Sequence, residues 1–298
     1  MEYITLANGV KMPLLGYGVY QVDPAECERC VTDAIAVGYR SIDTAQAYGN
    51  EAGVGEGIRR SGIPREEIFV TSKVAAEHKS YATAAQSIHQ TLTTMGLDYV
   101  DIFYHHRMDP NTPLEETMGA LAQAVRSGKA LYAGLSNYDG PTLEKAAAIL
   151  DELHVPFVIN QNRYSIFDRT IEHNGLKDTA AKLHKGIITF SPLAQGLLTD
   201  RYLHGIPADS RVHTDGRFLK EKDITPERLA QISALNDLAR QRGQTLAEMA
   251  LAWLLHHDEV TTVLIGASKT QQILDNIKAV EHTTFTPDEL AVIDRISK

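Results

Sequence analysis

Asp43, Tyr48, Lys73 and the adjacent His105 and His106 are the residues of this 298-residue chain whose types and spacing best suit acid–base chemistry. A lysine beside a tyrosine favours the phenolate and lowers the phenol's pKa from its usual value near 10, and an aspartate paired with that lysine keeps the ammonium oriented and charged. Such a tyrosine can give its proton to a developing alkoxide at neutral pH. A neighbouring imidazole can orient a carbonyl oxygen and stabilise charge on it. Each residue alone has a plainer reading: Asp43 as a helix cap, Lys73 as a solvated strand end, Tyr48 as a packed ring. Bringing them to one place is what separates the two readings.

Other chemistries find less support. There is no G-x-S-x-G elbow for a hydrolytic serine. Magnesium-dependent chemistry would need more carboxylates at one rim than the chain offers, so no metal is expected. Cys27 and Cys30 fall three residues apart in a helix-like stretch, but a structural zinc site needs four ligands and no second cysteine pair exists. Two unpaired thiols are preferred over a redox pair.

The elements that must position these residues alternate regularly. Short apolar segments at 14–20, 38–43, 68–73, 99–106, 130–137, 156–162, 186–192 and 260–268 read as strands. Longer amphipathic stretches lie between them, several ended by glycine. Eight such units predict a closed parallel (β/α)8 barrel occupying residues 1–298 as a single domain. A barrel gathers functional groups at the C-terminal ends of its strands, so Asp43, Lys73 and His106, about 30 residues apart, fall on one rim. Only one of His105 and His106 can address the cavity, because neighbouring strand side chains face opposite ways.

Asn8-Gly9 predicts a hairpin that caps the barrel bottom, and PDELAVIDRIS predicts an extra C-terminal helix. Residues 192–225 read as a long loop. The glycines of GVGEGIRRSG, at 53–62, follow a loop and sit in a helix-like region, so they do not make the dinucleotide fingerprint of an open sheet.

Net charge is −9, which argues against nucleic acid or an anionic membrane as a partner while leaving room for a local basic pocket. No apolar run reaches spanning length and the start lacks the order of a secretory signal, so a cytoplasmic location is expected.

Asp43, Tyr48, Lys73 and His106 match, in order, the tetrad of the aldo-keto reductase family, and ANGVKMPLLGYGVYQ with SIDTAQAYGNEAGVGEGIR resembles its first two barrel units. The resemblance covers nearly the whole chain. It implies NADPH-dependent reduction of aldehydes and activated ketones, with Tyr48 as proton donor, Lys73 tuning it, Asp43 holding Lys73 and His106 positioning the carbonyl. It assigns Ser136, Asn137 and Gln161 to the nicotinamide carboxamide and Phe190 to a shelf beneath the ring. Ser191, Leu193, Gln195 and Gly196 fall in the loop beside the pyrophosphate, Ser268 and Lys269 at a 2′-phosphate, and Gln272 and Asn276 near the adenosine. Tyr20 and Arg107 are the rim candidates for a small-molecule carbonyl substrate. Up to about Tyr104 the chain looks like the diketogluconate reductase and prostaglandin F synthase branch. The remainder looks like the branch of glyceraldehyde-phosphate reductases and potassium-channel β subunits, which leaves a natural intermediate, a reconstructed ancestor and an engineered recombinant all open. The family prior is a monomer. The alternative function is a slow-turnover, cofactor-binding interaction protein like the channel subunits.

Overall fold

A computed structural model describes residues 2–74, 80–267 and 269–297. Two short strands, β1 (Tyr3–Thr5) and β2 (Lys11–Pro13), pair antiparallel at the start of the chain. Asn8 and Gly9 turn between them: the Asn8 side-chain oxygen accepts from the Val10 amide at 3.2 Å, and Gly9 takes φ +84, open to it for want of a Cβ.

Eight further strands, β3 (Leu15–Gly18), β4 (Ser41–Asp43), β5 (Phe69–Val74), β6 (Val100–His105), β7 (Ala130–Ser136), β8 (Phe157–Arg163), β9 (Gly186–Phe190) and β10 (Val260–Ile265), pair in parallel and close with β10 against β3. The helices α1 (Pro24–Ala36), α2 (Glu51–Arg60), α3 (Tyr81–Met95), α4 (Leu114–Arg126), α5 (Gly140–Glu152) and α6 (Leu176–Lys182) follow the first six barrel strands in turn. After β9 come α7 (Arg211–Thr214), α8 (Pro226–Gln241) and α9 (Leu246–Leu255), and after β10 come α10 (Thr270–Asn276) and α11 (Pro287–Ser297). The expected (β/α)8 barrel, hairpin and C-terminal helix are all present.

Local chemistry sets the helix starts. Ser80, Asp139 and Thr225 each accept a backbone amide of the turn they precede, and Thr245 and Glu248 form a reciprocal capping box on α9. The glycines of α2 serve packing instead of phosphate binding. A Cβ on Gly55 would lie 1.8 Å from the Met95 carbonyl oxygen, so only glycine lets α2 sit this close to the end of α3.

Alternation along the strands divides the apolar residues into two populations. Phe69, Ile102, Tyr104, Ile159, Ile188 and Leu264 form a cluster with Leu6 and Met12 of the hairpin, while a larger cluster fills the layer between strands and helices. Burying each such side chain contributes roughly 1.5–3 kcal/mol, which fixes the strands as a rigid frame beneath the rim.

Three expectations change in detail. The strands stop earlier than their apolar segments, β3 at Gly18 and β10 at Ile265, and His106 lies just past the end of β6. The stretch IEHNGLKDTAAKLHKG, one of the amphipathic segments expected to be helical between strands, is split into a 3-10 turn at Thr170–Glu172 and a short α6, because Asn174 turns the chain and accepts from the Leu176 amide at 3.1 Å. The stretch read as one long loop carries α7 and 3-10 turns at Ala194–Gly196, Asp200–Tyr202 and Glu221–Asp223.

Candidate active site

Strand register brings the predicted residues together. Asp43 pairs with Thr71 across β4 and β5, and Lys73 pairs with Tyr104 across β5 and β6, so the acid and the amine rise side by side toward the strands' C-terminal ends. Lys73 Nζ donates to Asp43 Oδ1 at 2.6 Å and to the Thr44 carbonyl at 2.9 Å. Asp43 Oδ2 accepts from Thr71 Oγ1 at 2.6 Å and Gln161 Nε2 at 2.9 Å. Asp43 is therefore the anchor of a buried ion pair and no helix cap.

Tyr48 closes a 3-10 turn at Gln46–Tyr48, immediately before the left-handed Gly49. Its ring centroid lies 5.1 Å from Lys73 Nζ, with the Tyr104 ring 5.6 Å away from the same ammonium. Two aromatic rings flanking one buried cation add attraction to the carboxylate's. Burial pushes the Tyr48 phenol up from its usual value, and the charge and hydrogen bonding of Lys73 oppose that without reversing it. The expectation of a lowered phenol is thus corrected: desolvation outweighs the neighbouring ammonium. Burial acts to lower Lys73, but Asp43 and Tyr48 more than offset it, and the ammonium is held above its usual value.

The two histidines divide as strand parity requires. The His106 ring lies 6.0 Å from the Tyr48 ring, edge to face, and lines the cavity. His105 is buried on the other side, its Nδ1 2.7 Å from Tyr138 Oη. Burial first, and then the charge of Lys73, lowers His106 to about 4, leaving a neutral imidazole at physiological pH.

A cavity of about 1600 Å³ opens above these groups, large beside an ordinary small-ligand site of roughly 300–1,000 Å³. Ser136, Asn137, Gln161, Phe190, Ser191, Leu193, Gln195, Gly196, Lys269, Gln272 and Asn276 all line it, together with Tyr20 and Arg107. Ser268 lies outside the described residues. Asn137 holds the left-handed conformation at φ +61 and donates through Nδ2 to the His106 carbonyl at 3.0 Å, so it also fixes the chain beside the imidazole. Gln161, assigned from resemblance to the carboxamide, is tied to Asp43 as well. Lys269 is exposed and paired with Asp209 at 3.3 Å.

Three residues of the cavity wall, Arg211, Asp215 and Phe218, escape the sequence reading, as does the backbone conformation of the turn after β9. Ser191, Ala194 and Gln195 adopt positive φ in the turn after β9, strain of the kind that accumulates at ligand-binding loops. Arg211 is half-buried, lines the cavity and donates to the Gln195 side-chain oxygen; among the described residues no carboxylate lies within ion-pair distance of it. Phe218 meets the Tyr20 ring at 6.0 Å across the mouth, and Tyr20 meets Tyr48 at 4.8 Å. Arg211, Asp215 and Phe218 sit in an aperiodic stretch, so nothing in the hydrophobic pattern marked them. Cys27 and Cys30 are both buried, and no disulfide joins them.

Comparison with known proteins identifies the family. The model of the aldo/keto reductase family matches residues 9–298, and the chain belongs to that family. It is 41% identical over 312 residues to the L-glyceraldehyde 3-phosphate reductase of Escherichia coli K12, covering 97% of this chain and 90% of the relative. It is 34% identical over 299 residues to a putative voltage-gated potassium channel subunit beta of Schizosaccharomyces pombe, covering 95% and 87%. Among solved structures, a putative 2,5-diketo-D-gluconic acid reductase B superposes with a TM-score of 0.81 at 28% identity, covering 99% of this chain and 92% of that one. A thermostable aldo-keto reductase in complex with the inhibitor epalrestat gives 0.81 at 29% identity, covering 99% and 100%. The protein is accordingly an oxidoreductase of the carbonyl-reducing kind.

Proposed function

We propose that this protein reduces aldehydes and activated ketones to alcohols with NADPH, using Tyr48 as the proton donor. The observation that carries the reading is the buried Asp43–Lys73 pair beneath Tyr48, with neutral His106 facing the same phenol. Bound reduced nicotinamide supplies the hydride. Lys73 orients Tyr48 and supports the charge left as its proton departs, Asp43 holds Lys73 in place, and neutral His106 can donate an N–H to the substrate oxygen without competing for the proton.

The cavity suits an extended dinucleotide. Ser136, Asn137 and Gln161 offer polar atoms at one end, Phe190 a flat ring beside them, and Lys269, Gln272 and Asn276 polar groups at the other. Arg211, half-buried in the same wall and bonded to Gln195, supplies a positive charge from which an anionic pyrophosphate would gain. Arg107, exposed at the rim, favours a small aldehyde carrying an anionic group, in keeping with the phosphorylated substrate in the name of the Escherichia coli relative.

The test is NADPH consumption with methylglyoxal, glyceraldehyde 3-phosphate and aromatic aldehydes, in the wild type and in Tyr48→Phe. Turnover that disappears in the variant while NADPH still binds supports the reading. Tight NADPH binding without turnover of any carbonyl favours the sensor role suggested by the channel-subunit relative.

A further inference from the structure

Asn50 follows Tyr48 and Gly49 and occupies the N-cap position of α2, yet its side chain makes no capping hydrogen bond. Asparagine is among the preferred N-caps because its oxygen can accept a first-turn amide. Here that oxygen accepts from Thr44 Oγ1 at 2.8 Å, while Nδ2 donates to the carbonyls of Val19 at 2.9 Å and Val22 at 3.2 Å. The side chain is 1% exposed, so these three bonds replace water outright.

The chain held by those two donations is the turn after β3 that carries Tyr20. It closes through the Val22 amide on the Val19 carbonyl at 3.0 Å and contains Gln21 at φ +65, a conformation that costs a non-glycine residue energy. From the solvent side, Gln21 donates to the Asp215 carboxylate. The other end of the Asn50 clasp is Thr44, whose carbonyl accepts from Lys73 at 2.9 Å. One buried amide thus joins the Tyr20 turn, the Tyr48 turn and the residue that holds Lys73.

We infer that Asn50 is a positioning residue that sets the 4.8 Å contact between Tyr20 and Tyr48, and through it the width of the substrate cleft beside the phenol. It acts by pinning a strained turn that would otherwise relax and carry the Tyr20 ring outward. Its consequence for turnover rests on the carbonyl-reducing reading, whereas its consequence for the turn does not.

Asn50→Asp separates the clasp from an ordinary cap. Aspartate caps as well as asparagine does, but an ionised carboxylate cannot donate to the Val19 and Val22 carbonyls. Peptide-resolved hydrogen exchange should show residues 19–22 exchanging about tenfold or more faster in Asn50→Asp, with 69–74 unchanged, since local opening is read at the segment that opens. Unchanged protection at 19–22 would overturn the clasp whatever the enzyme turns over. In kinetics with 4-nitrobenzaldehyde and NADPH, KM should rise about tenfold with kcat within about threefold, the pattern of lost uniform binding. In a Tyr20→Ala background the same substitution should change KM by less than about twofold, because non-additivity marks action through the second residue. A tenfold effect that persists there, or a loss confined to kcat, would refute the assigned route. If Asn50→Asp does not fold, Thr44→Val removes one bond of the clasp with little change in shape. It should accelerate exchange at 19–22 about threefold, and no acceleration would count against the proposal.

Discussion

Lys73 Nζ lies 2.6 Å from Asp43 Oδ1, with the two side chains 0% and 5% exposed. At this depth neither charge is tolerable without the other, and the carboxylate's remaining oxygen is satisfied by Thr71 and Gln161. Lys73→Met should therefore cost about 3–5 kcal/mol in urea denaturation, because it strands the carboxylate. Combining it with Asp43→Leu should cost less than the sum of the two single changes, since the double variant leaves no unpaired charge.

On the proposed reading, the pH profile of reduction follows from Tyr48 and His106. His106 stays neutral down to about 4, and the Tyr48 phenol is pushed above its ordinary value by burial, so both keep the required form across the neutral range. Initial rates at saturating substrate should vary by less than about threefold between roughly pH 6 and 9, because neither group titrates there. Tyr48→Phe should lower kcat by about 10²–10⁴-fold at every pH in that window. A steep loss of wild-type rate near neutrality would contradict the assignment of either group.

His105 links stability to acid. Burial lowers it to about 4 in the folded protein, against a reference near 6.5, so the unfolded chain binds the proton more readily between those values. The folded-state advantage is complete above about pH 6.5 and is lost as pH falls toward 4, amounting to about 3 kcal/mol. Urea melts at pH 7 and 4.5 should show the wild type losing more stability than His105→Phe over that interval. Buried Glu51 and Asp101 have raised carboxyl pKa values, chiefly from burial, and oppose this trend in both proteins. The difference between the two therefore isolates the histidine.

Much of the barrel was legible in the sequence because buried parallel strands must be apolar and must recur at the length of a β–α unit. The same register carried Asp43, Lys73 and His106 to one rim, and strand parity separated His106 from His105. Three kinds of feature were not legible. The direction of the Tyr48 shift depends on how much water the folded cavity excludes, which no spacing encodes. Arg211, Asp215 and Phe218 lie where no period exists. Asn50 sits at the N-cap position of α2, but the Val19 and Val22 carbonyls that its side chain donates to lie far away in sequence, where no local pattern points to them.

Gly55 offers a test of the helix layer remote from the chemistry. Because a Cβ there would meet the Met95 carbonyl oxygen at 1.8 Å, Gly55→Ala must push α2 away from α3 despite alanine's better helix propensity. Overpacking of this kind typically costs about 1–3 kcal/mol, so thermal unfolding should move downward by several degrees. An unchanged or raised midpoint would mean that the two helices can separate freely.

Arg211 and Lys269 should contribute differently to cofactor affinity because their surroundings differ. Arg211 is half-buried and donates to the neutral Gln195 amide, and among the described residues no carboxylate lies within ion-pair distance, although the charge of Asp215 acts on it, so an anion placed against it breaks no direct ion pair. Lys269 is exposed and already shares Asp209 with Arg201, so a ligand phosphate must compete with an existing pair in water. Fluorescence titration should show Arg211→Leu weakening NADPH and NADH alike, by about tenfold or more, since the pyrophosphate is common to both. Lys269→Ala should weaken NADPH by only about two- to fivefold and leave NADH unchanged, as expected for an exposed charge acting on the 2′-phosphate alone. Equal losses of NADH in both variants would remove Lys269 from the 2′-phosphate site. A selective loss of NADPH in Arg211→Leu would move Arg211 there instead.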